Sequence, residues 1–462
     1  MTYDDARNYT SSLGRFGWIL GLERISKLLQ ELKNPQESLK FVHIAGTNGK
    51  GSTAAFCANI LTAAGFRTGL FISPYVLDFR ERFQINGNMI TEKDYAETVS
   101  ILMPVCENLI TKGIVITEFE FITAVAFYYF AQKQCDYVCL ETGLGGRFDA
   151  TNVISAESCK VNIITSISLD HTDILGDTIE KITAEKVAVI KNGASVVNYP
   201  LQKKAANAVI RNRCSEVGAV LHTPDLAALK INSSAKFSPG FSVRDISLEG
   251  NRFSYNGQAF EIKLDGDHMV YNAITAYTAM KLLNVSVNDI TAGLSNTEFP
   301  ARFELFKGKF LSYATVKEPP ENDSDRNENT VMILDIAHNP ESARALADNL
   351  KRRGIFPDVL VLGMLRDKNC TKSAEYITPL CKTVITTRVS SPRTLEAEKL
   401  ADMISHSDVN VTPDVREALK LAVSLSGSHK SKTGIVLVTG SIFLAAEVRK
   451  IILEDEKTDF IR

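Results

Sequence analysis

Phe41-Val42-His43-Ile44-Ala45 runs directly into Gly46-Thr47-Asn48-Gly49-Lys50-Gly51-Ser52, and this junction limits what the chain can fold into more than any other stretch. A mostly apolar run ahead of a glycine-rich turn reads as a buried strand. Ser52–Ala64 behind the turn reads as a helix, and Gly65 falls just past its C-terminus, where a left-handed residue closes a helix. Strand, loop and helix in that order aim backbone N–H groups at an anion. Gly46, Gly49 and Gly51 let the backbone come close to it. Lys50 supplies a point charge for β- and γ-phosphates, and Ser52 or Thr53 offers a hydroxyl to Mg²⁺. The spacing departs from G-x-x-x-x-G-K-[ST], because Ile44 stands where the first glycine belongs and Gly51 separates Lys50 from the hydroxyls. The loop therefore argues for a nucleotide without fixing a reaction. No N-K-x-D motif accompanies it, which argues against a GTPase and leaves a plain ATPase or a kinase open.

The rest of the chain alternates strand-like and helix-like segments, which predicts a mostly parallel sheet with helices on its faces. Tyr137–Leu140 is a short apolar strand ending at Glu141, and Val161–Leu169 is another ending at Asp170 and His171. Ligands of open parallel sheets sit beyond the carboxyl ends of the strands. Three such ends here carry a phosphate loop, a carboxylate and an Asp-His pair. Residues 220–264 change character, and "RFSYNGQAFEIKL" predicts a hairpin turning at Asn256-Gly257. The polar, proline-containing Lys317–Thr330 reads as a flexible excursion. After it "VMILD", a helix over about Glu341–Arg353, "DVLVLG", "KTVITT" and "GIVLVTG" resume the alternation.

The expected fold is α/β. Residues 1–298 form a P-loop-type domain with a mostly parallel sheet and a small antiparallel part. Residues 299–462 form a Rossmann-like α/β domain. A chain of 462 residues has room for both. With 52 basic and 54 acidic residues, the net charge of −2 gives no electrostatic reason to expect nucleic acid or an anionic membrane. Phe121–Ala131, the longest apolar stretch, is too short to span a bilayer, and the polar N-terminus shows no signal peptide. Eight cysteines without C-x-x-C spacing read as reduced thiols of a cytoplasmic protein. Cys135 and Cys139, four apart, are a weak metal candidate.

The loop and the motifs around it resemble one family. Gly46–Ser52 is similar to the phosphate loop of amide-bond ligases that include the muramyl peptide ligases, and its Gly-Ser ending resembles the folylpolyglutamate synthase/dihydrofolate synthase branch. "GLERI" (Gly21–Ile25) and "NPQ" (Asn34–Gln36) precede it. "SPYVLDFRERFQING" (Ser73–Gly87), "ETGLGGRFDATNVI" (Glu141–Ile154) and "LDHTDILGDTIEKITAEKVAVIK" (Leu169–Lys191) follow. "LDGDHMVYNAITA", "PARFE", "DIAHNP" and "GSIF" extend the resemblance into the second domain.

The resemblance implies an ATP-dependent carboxylate–amine ligase that makes an acyl phosphate. The substrates implied are ATP, L-glutamate and a reduced folate or dihydropteroate, and a monomer is expected. It implies Mg²⁺, at two sites, with Ser73, Glu141 and His171 as ligands beside Ser52. It puts Thr47, Asn48, Gly49, Lys50, Gly51 and Ser52 on the nucleotide, joined by Asn272, Arg302, Asp335 and His338. Glu141 offers a hard oxygen and His171 a neutral imidazole nitrogen, both suited to a metal that screens crowded anions. Lys186 carries a carbamate in the family pattern. As a plain lysine it reads as a solvated helix charge, and Lys191 is the competing position. Lys368 and Ser441 are implied for the glutamate substrate. Three residues depart from the pattern: Met269 replaces an amide, Ala301 a glycine and Ile336 a small residue. They leave open a binding protein without catalysis.

Overall fold

The computed structural model describes residues 1–17, 19–232, 250–308, 330–426 and 434–454. Positions 317–329 of the polar excursion lie outside them, and Thr330 opens a strand. The described chain divides into two compact units. One comprises Met1–Lys230, Ser254–Glu261 and Met269–Thr297, and the other Ile231–Phe253, Ile262–His268 and Glu298–Arg462.

The first unit is built on an eight-stranded sheet. Its order is Asn88–Met89, Phe83–Ile85, Thr68–Phe71, Tyr137–Glu141, Phe41–Ala45, Cys159–Ile164, Ser195–Asn198 and Val220–His222. Only Phe83–Ile85 runs against its neighbours, pairing antiparallel with Thr68–Phe71 on one side and Asn88–Met89 on the other. Every residue of Phe41–Ala45 is buried, as a strand covered on both faces requires. This central strand aligns Ile44 with Glu141 on one side and Ala45 with Ile164 on the other. The loop after Ala45, the Glu141 carboxylate and the chain beyond Ile164 therefore leave the sheet at one level.

Two local boundaries differ from the sequence reading. The helix spans Lys50–Ala63, two residues ahead of the expected start, because Gly49 at φ 85° caps it in the left-handed region. The strand expected over Val161–Leu169 is Cys159–Ile164. Past Thr165 the chain serves the phosphate loop instead, and the Ser166 carbonyl accepts from Thr47 N (2.8 Å) and Asn48 N (3.1 Å). The Lys50–Ala63 helix is buried on most of its circumference, and the Val287–Ser295 helix crosses it closely. A Cβ on Gly293 would lie 2.3 Å from the Ile60 Cα, so the crossing requires glycine.

The hairpin forms at Asn256-Gly257, whose φ values of 50° and 78° give the doubly left-handed turn that matches strand twist. Its strands, Asn251–Tyr255 and Gln258–Ile262, form a three-stranded sheet with Leu229–Asn232. The second unit's six-stranded sheet runs Glu304–Gly308, Thr330–Leu334, Gly434–Thr439, Val359–Leu362, Thr383–Thr386 and Val409–Val411. Only its first strand is antiparallel. All eight cysteines are buried and unpaired. No helix among the described residues is long and apolar enough to cross a membrane.

His43 sits fully buried in the central strand, its Nε2 2.9 Å from Thr151 Oγ1. Burial pushes its imidazole down to about 3. An unfolded histidine titrates near 6.5, so on acidification the unfolded chain takes up this proton first and stability falls from pH 6.5 toward pH 3. This group alone is expected to remove about 2 kcal/mol of stability between pH 7 and pH 5. Urea unfolding at the two pH values checks this: His43→Gln should lose that much less than the wild type, and an equal loss would show that His43 titrates normally in the folded protein.

Candidate active site

Gly46 leaves the central strand at φ 152°, and a Cβ there would lie 1.8 Å from Thr165 Oγ1. Only glycine lets the loop pass this wall. The loop is then fixed to the neighbouring chain at several points. Thr47 Oγ1 donates to the Ser168 carbonyl and accepts from Ser168 N, both at 3.2 Å. Asn48 Nδ2 donates to Ser168 Oγ at 3.1 Å. Gly49 lies against the Asn272 amide, whose Oδ1 would be 2.7 Å from an added Cβ. Thr47 and Asn48 thus fix the loop's shape, while the backbone N–H groups of the helix start remain at its open end.

Lys50 bends back over the loop. Its Nζ donates to the Thr47 carbonyl at 3.2 Å and stands 3.9 Å from Glu141 Oε1. The other Glu141 oxygen accepts from Ser73 N at 3.1 Å. Lys50, Glu141 and Ser73, far apart in sequence, therefore meet at the strand ends. Ser52 is buried at the first turn of the helix. The hydroxyls of Thr53 and Thr142 are buried without a hydrogen-bond partner.

Lys186 ends the Ile179–Lys186 helix and is buried. Its Nζ donates to the Gly46 carbonyl at 2.7 Å. Lys191 turns elsewhere, to the Asn152 carbonyl (2.9 Å) and side chain (2.7 Å). Of the two competing lysines, Lys186 reaches the loop. His171 holds a left-handed φ of 50° at the start of the short Thr172–Leu175 helix, and its N–H donates to Asp170 Oδ1 at 2.9 Å. Among the described residues no three His, Cys, Asp or Glu side chains gather to hold a metal. A site built from Ser73, Glu141 and His171 has only two ligands of those types.

Further residues hold this arrangement, and the sequence reading did not single them out. The buried Asp149 accepts from Leu144 N (2.8 Å), Thr151 N (3.0 Å) and Thr151 Oγ1 (2.5 Å), which fixes the turn after Glu141. Burial nevertheless pushes its carboxyl up. Gly146 packs on the Lys186 carbonyl, 2.6 Å from where a Cβ would stand. Their signal was the G-L-G-G-R-F-D-A-T-N run, legible as a motif but silent on which residues are structural. A cleft of about 200 Å³ opens beside Gly145 and Gly146, lined by Leu20, Leu144, Phe148, Ile174 and Leu175.

In the second unit, Asp335 is partly buried and accepts from Phe303 N (3.0 Å) and Ala337 N (2.8 Å). Burial pushes its carboxyl up, and Arg302 opposes the shift. His338 Nδ1 pairs with the Ile336 carbonyl at 2.9 Å. Lys368 lies in a turn, its N–H on the Leu365 carbonyl. Ser441 is buried, and its Oγ accepts from Phe443 N at 3.2 Å at the start of the last helix. Two of the three departures have local accommodations. Ala301 takes φ 55°, a conformation glycine adopts without strain. In the first unit, Met269 is buried with its sulfur 3.9 Å from Asn272 Nδ2.

The architecture is that of a nucleotide-site parallel sheet joined to a second α/β unit, and comparison identifies its class. The Mur ligase middle domain matches residues 44–280, and the Mur ligase glutamate ligase domain matches residues 324–442. The dihydrofolate synthase/folylpolyglutamate synthase of Bacillus subtilis is 33% identical, with 97% of this chain and 98% of that protein covered. The folylpolyglutamate synthase of Lacticaseibacillus casei is 31% identical, covering 98% and 99%. A crystal structure of folylpolyglutamate synthase from Thermotoga maritima superposes with a TM-score of 0.76 at 31% identity, covering 98% of this chain and 97% of that one. The chain belongs to the folylpolyglutamate synthase/dihydrofolate synthase family of Mur ligases.

Gly46→Ala is expected to weaken binding of a fluorescent ATP analogue at least tenfold and to cost about 1–3 kcal/mol of stability by overpacking against Thr165. Unchanged affinity in a titration would contradict the tight passage described for the loop.

Proposed function

We propose that this protein is an ATP-dependent folylpolyglutamate synthase, joining L-glutamate to the γ-carboxylate of a tetrahydrofolyl-(poly)glutamate with release of ADP and phosphate. The observation that carries this reading is the meeting of Lys50, Glu141 and Ser73 beside the Gly46–Ser52 loop, with Lys186 bonded to the loop from behind. Dihydrofolate synthase activity, in which dihydropteroate replaces the folate, is a second reading. It is supported by relatives whose names carry both activities, from Bacillus subtilis and Mycobacterium tuberculosis.

In this reading the helix-start N–H groups and Lys50 hold the ATP phosphates. The acceptor carboxylate attacks the γ-phosphorus, the bond to the β-phosphate oxygen breaks and ADP leaves. The glutamate amine then attacks the acyl carbon, losing a proton as phosphate departs. Mg²⁺ would be held by Ser52, Ser73, Glu141 and His171 and would screen the crowded anions. The hard carboxylate of Glu141, 3.9 Å from Lys50 Nζ and accepting from the Ser73 N–H, fits that use. A carbamate on Lys186 turns a cation into an anion at the loop. Its burial and its bond to Gly46 give such a group a fixed position. The cleft beside Gly145 takes the acceptor's planar rings. Residues 299–462 form the glutamate-ligase domain, where Arg302, Asp335 and His338 serve ATP, and Lys368 and Ser441 meet the glutamate. Asn272, against Gly49, serves the nucleotide from 1–298.

Phosphate release with Mg-ATP and glutamate, with and without tetrahydrofolate or dihydropteroate, tests the reading, with product mass measured. Release is expected only when glutamate and an acceptor are both present, and no release with either acceptor overturns the reading. Lys186→Ala should lower kcat by at least 100-fold, with partial recovery in acetate. Unchanged activity would remove Lys186 from the mechanism.

A further inference from the structure

The Ser73–Gly87 segment contributes more than Ser73. Glu81 ties its loop together, accepting from Val76 N (2.7 Å), Leu77 N (2.9 Å) and Asp78 N (3.0 Å). Asp78 satisfies Arg80, taking Nε and Nη2 at 2.6–3.1 Å. Arg82 is different. Its carbonyl accepts from Ile72 N at 3.3 Å, which places it beside the residue preceding Ser73. Its guanidinium lies 5.2 Å from the Tyr75 ring and 5.6 Å from the Phe79 ring. Arg7 stacks on Phe79 at 3.3 Å.

Nε and Nη1 of Arg82 and Nη1 of Arg7 are buried without an acceptor. The acid groups in electrostatic reach of Arg82 are Glu118 and Glu141. Glu141 is already engaged by Lys50 and Ser73 N. Glu118 is left facing both arginines, and burial pushes its carboxyl up against their pull. Two partly buried arginines with enclosed, unpaired nitrogens thus act on one carboxylate, Glu118. A rigid loop that satisfies Arg80 and leaves Arg82 open has a donor set that an anion completes, because buried guanidinium N–H groups without acceptors are costly.

We propose that Arg82 binds a carboxylate of the folate-type acceptor, with Arg7 adding charge from behind Phe79, so that the E-R of this segment selects the acceptor while the Gly46–Ser52 loop holds the nucleotide. The proposal rests on the ligase reading above. A carboxylate is the one fully charged group such an acceptor carries, and a guanidinium between aromatic rings pairs with it strongly once water is excluded.

The test measures dissociation constants for tetrahydrofolate, for its analogue with both carboxylates replaced by carboxamides, and for ATP, in wild type, Arg82→Gln and Arg82→Lys. Arg82→Gln is expected to weaken tetrahydrofolate 10- to 100-fold, Arg82→Lys less, with ATP and the diamide within threefold of wild type. An Arg82→Gln that binds tetrahydrofolate like wild type overturns the proposal. So does an equal loss for tetrahydrofolate and the diamide, or a wild type that binds neither. Unchanged ATP affinity and thermal midpoint report a folded variant, and Arg82→Lys supplies the comparison if Arg82→Gln is unstable. A wild type that binds tetrahydrofolate but releases no phosphate overturns the ligase reading alone, and the Arg82 comparison still stands or falls on its own.

Discussion

The passage of Gly46 against Thr165 is the contact on which the rest of the site depends. Because no Cβ intervenes, the loop lies flat against the chain leaving the Cys159–Ile164 strand, and Thr47 and Asn48 can bond to Ser166 and Ser168. That contact aims the start of the Lys50–Ala63 helix outward and leaves the Gly46 carbonyl where Lys186 bonds it. A fixed strand register does the remainder. Ile44 opposite Glu141 brings the carboxylate level with the loop, so that Lys50 and Ser73 reach its two oxygens.

Charge is distributed in the first unit with a consistent economy. The loop's cation faces one oxygen of the Glu141 carboxylate, and the Ser73 N–H donates to the other. Asp149 does the same inside the turn that follows, held by three donors although burial disfavours its charge. Arg7 and Arg82 depart from this, with buried guanidinium nitrogens that have no acceptor. Other charged side chains, Arg213 and Glu447 among them, also leave one buried atom unpartnered, but Arg82 leaves two guanidinium nitrogens so.

Much of this was legible beforehand. The Phe41–Ala45 strand, the hairpin at Asn256-Gly257 and the alternation of the second unit followed from apolar periodicity and turn chemistry, which are local properties. The misplaced end of the Val161–Leu169 strand was not legible. Thr165 and Ser166 suit a strand by propensity, and only the loop across from them redirects the backbone. Choosing Lys186 over Lys191 was equally undecided by spacing, because both lie near one helix end and only their partners, Gly46 and Asn152, separate them.

The sequence by itself determined the phosphate loop, the order of strands and helices, and the residue types able to meet anions and hard cations. These depend on neighbours within a few positions. The tertiary structure decided which of them meet: Glu141 with Lys50 and Ser73, Lys186 with Gly46, Asn272 with Gly49, and Arg82 with no partner for two of its nitrogens. Those pairings span tens of residues and are set by sheet register and close packing, which no local pattern in the chain encodes.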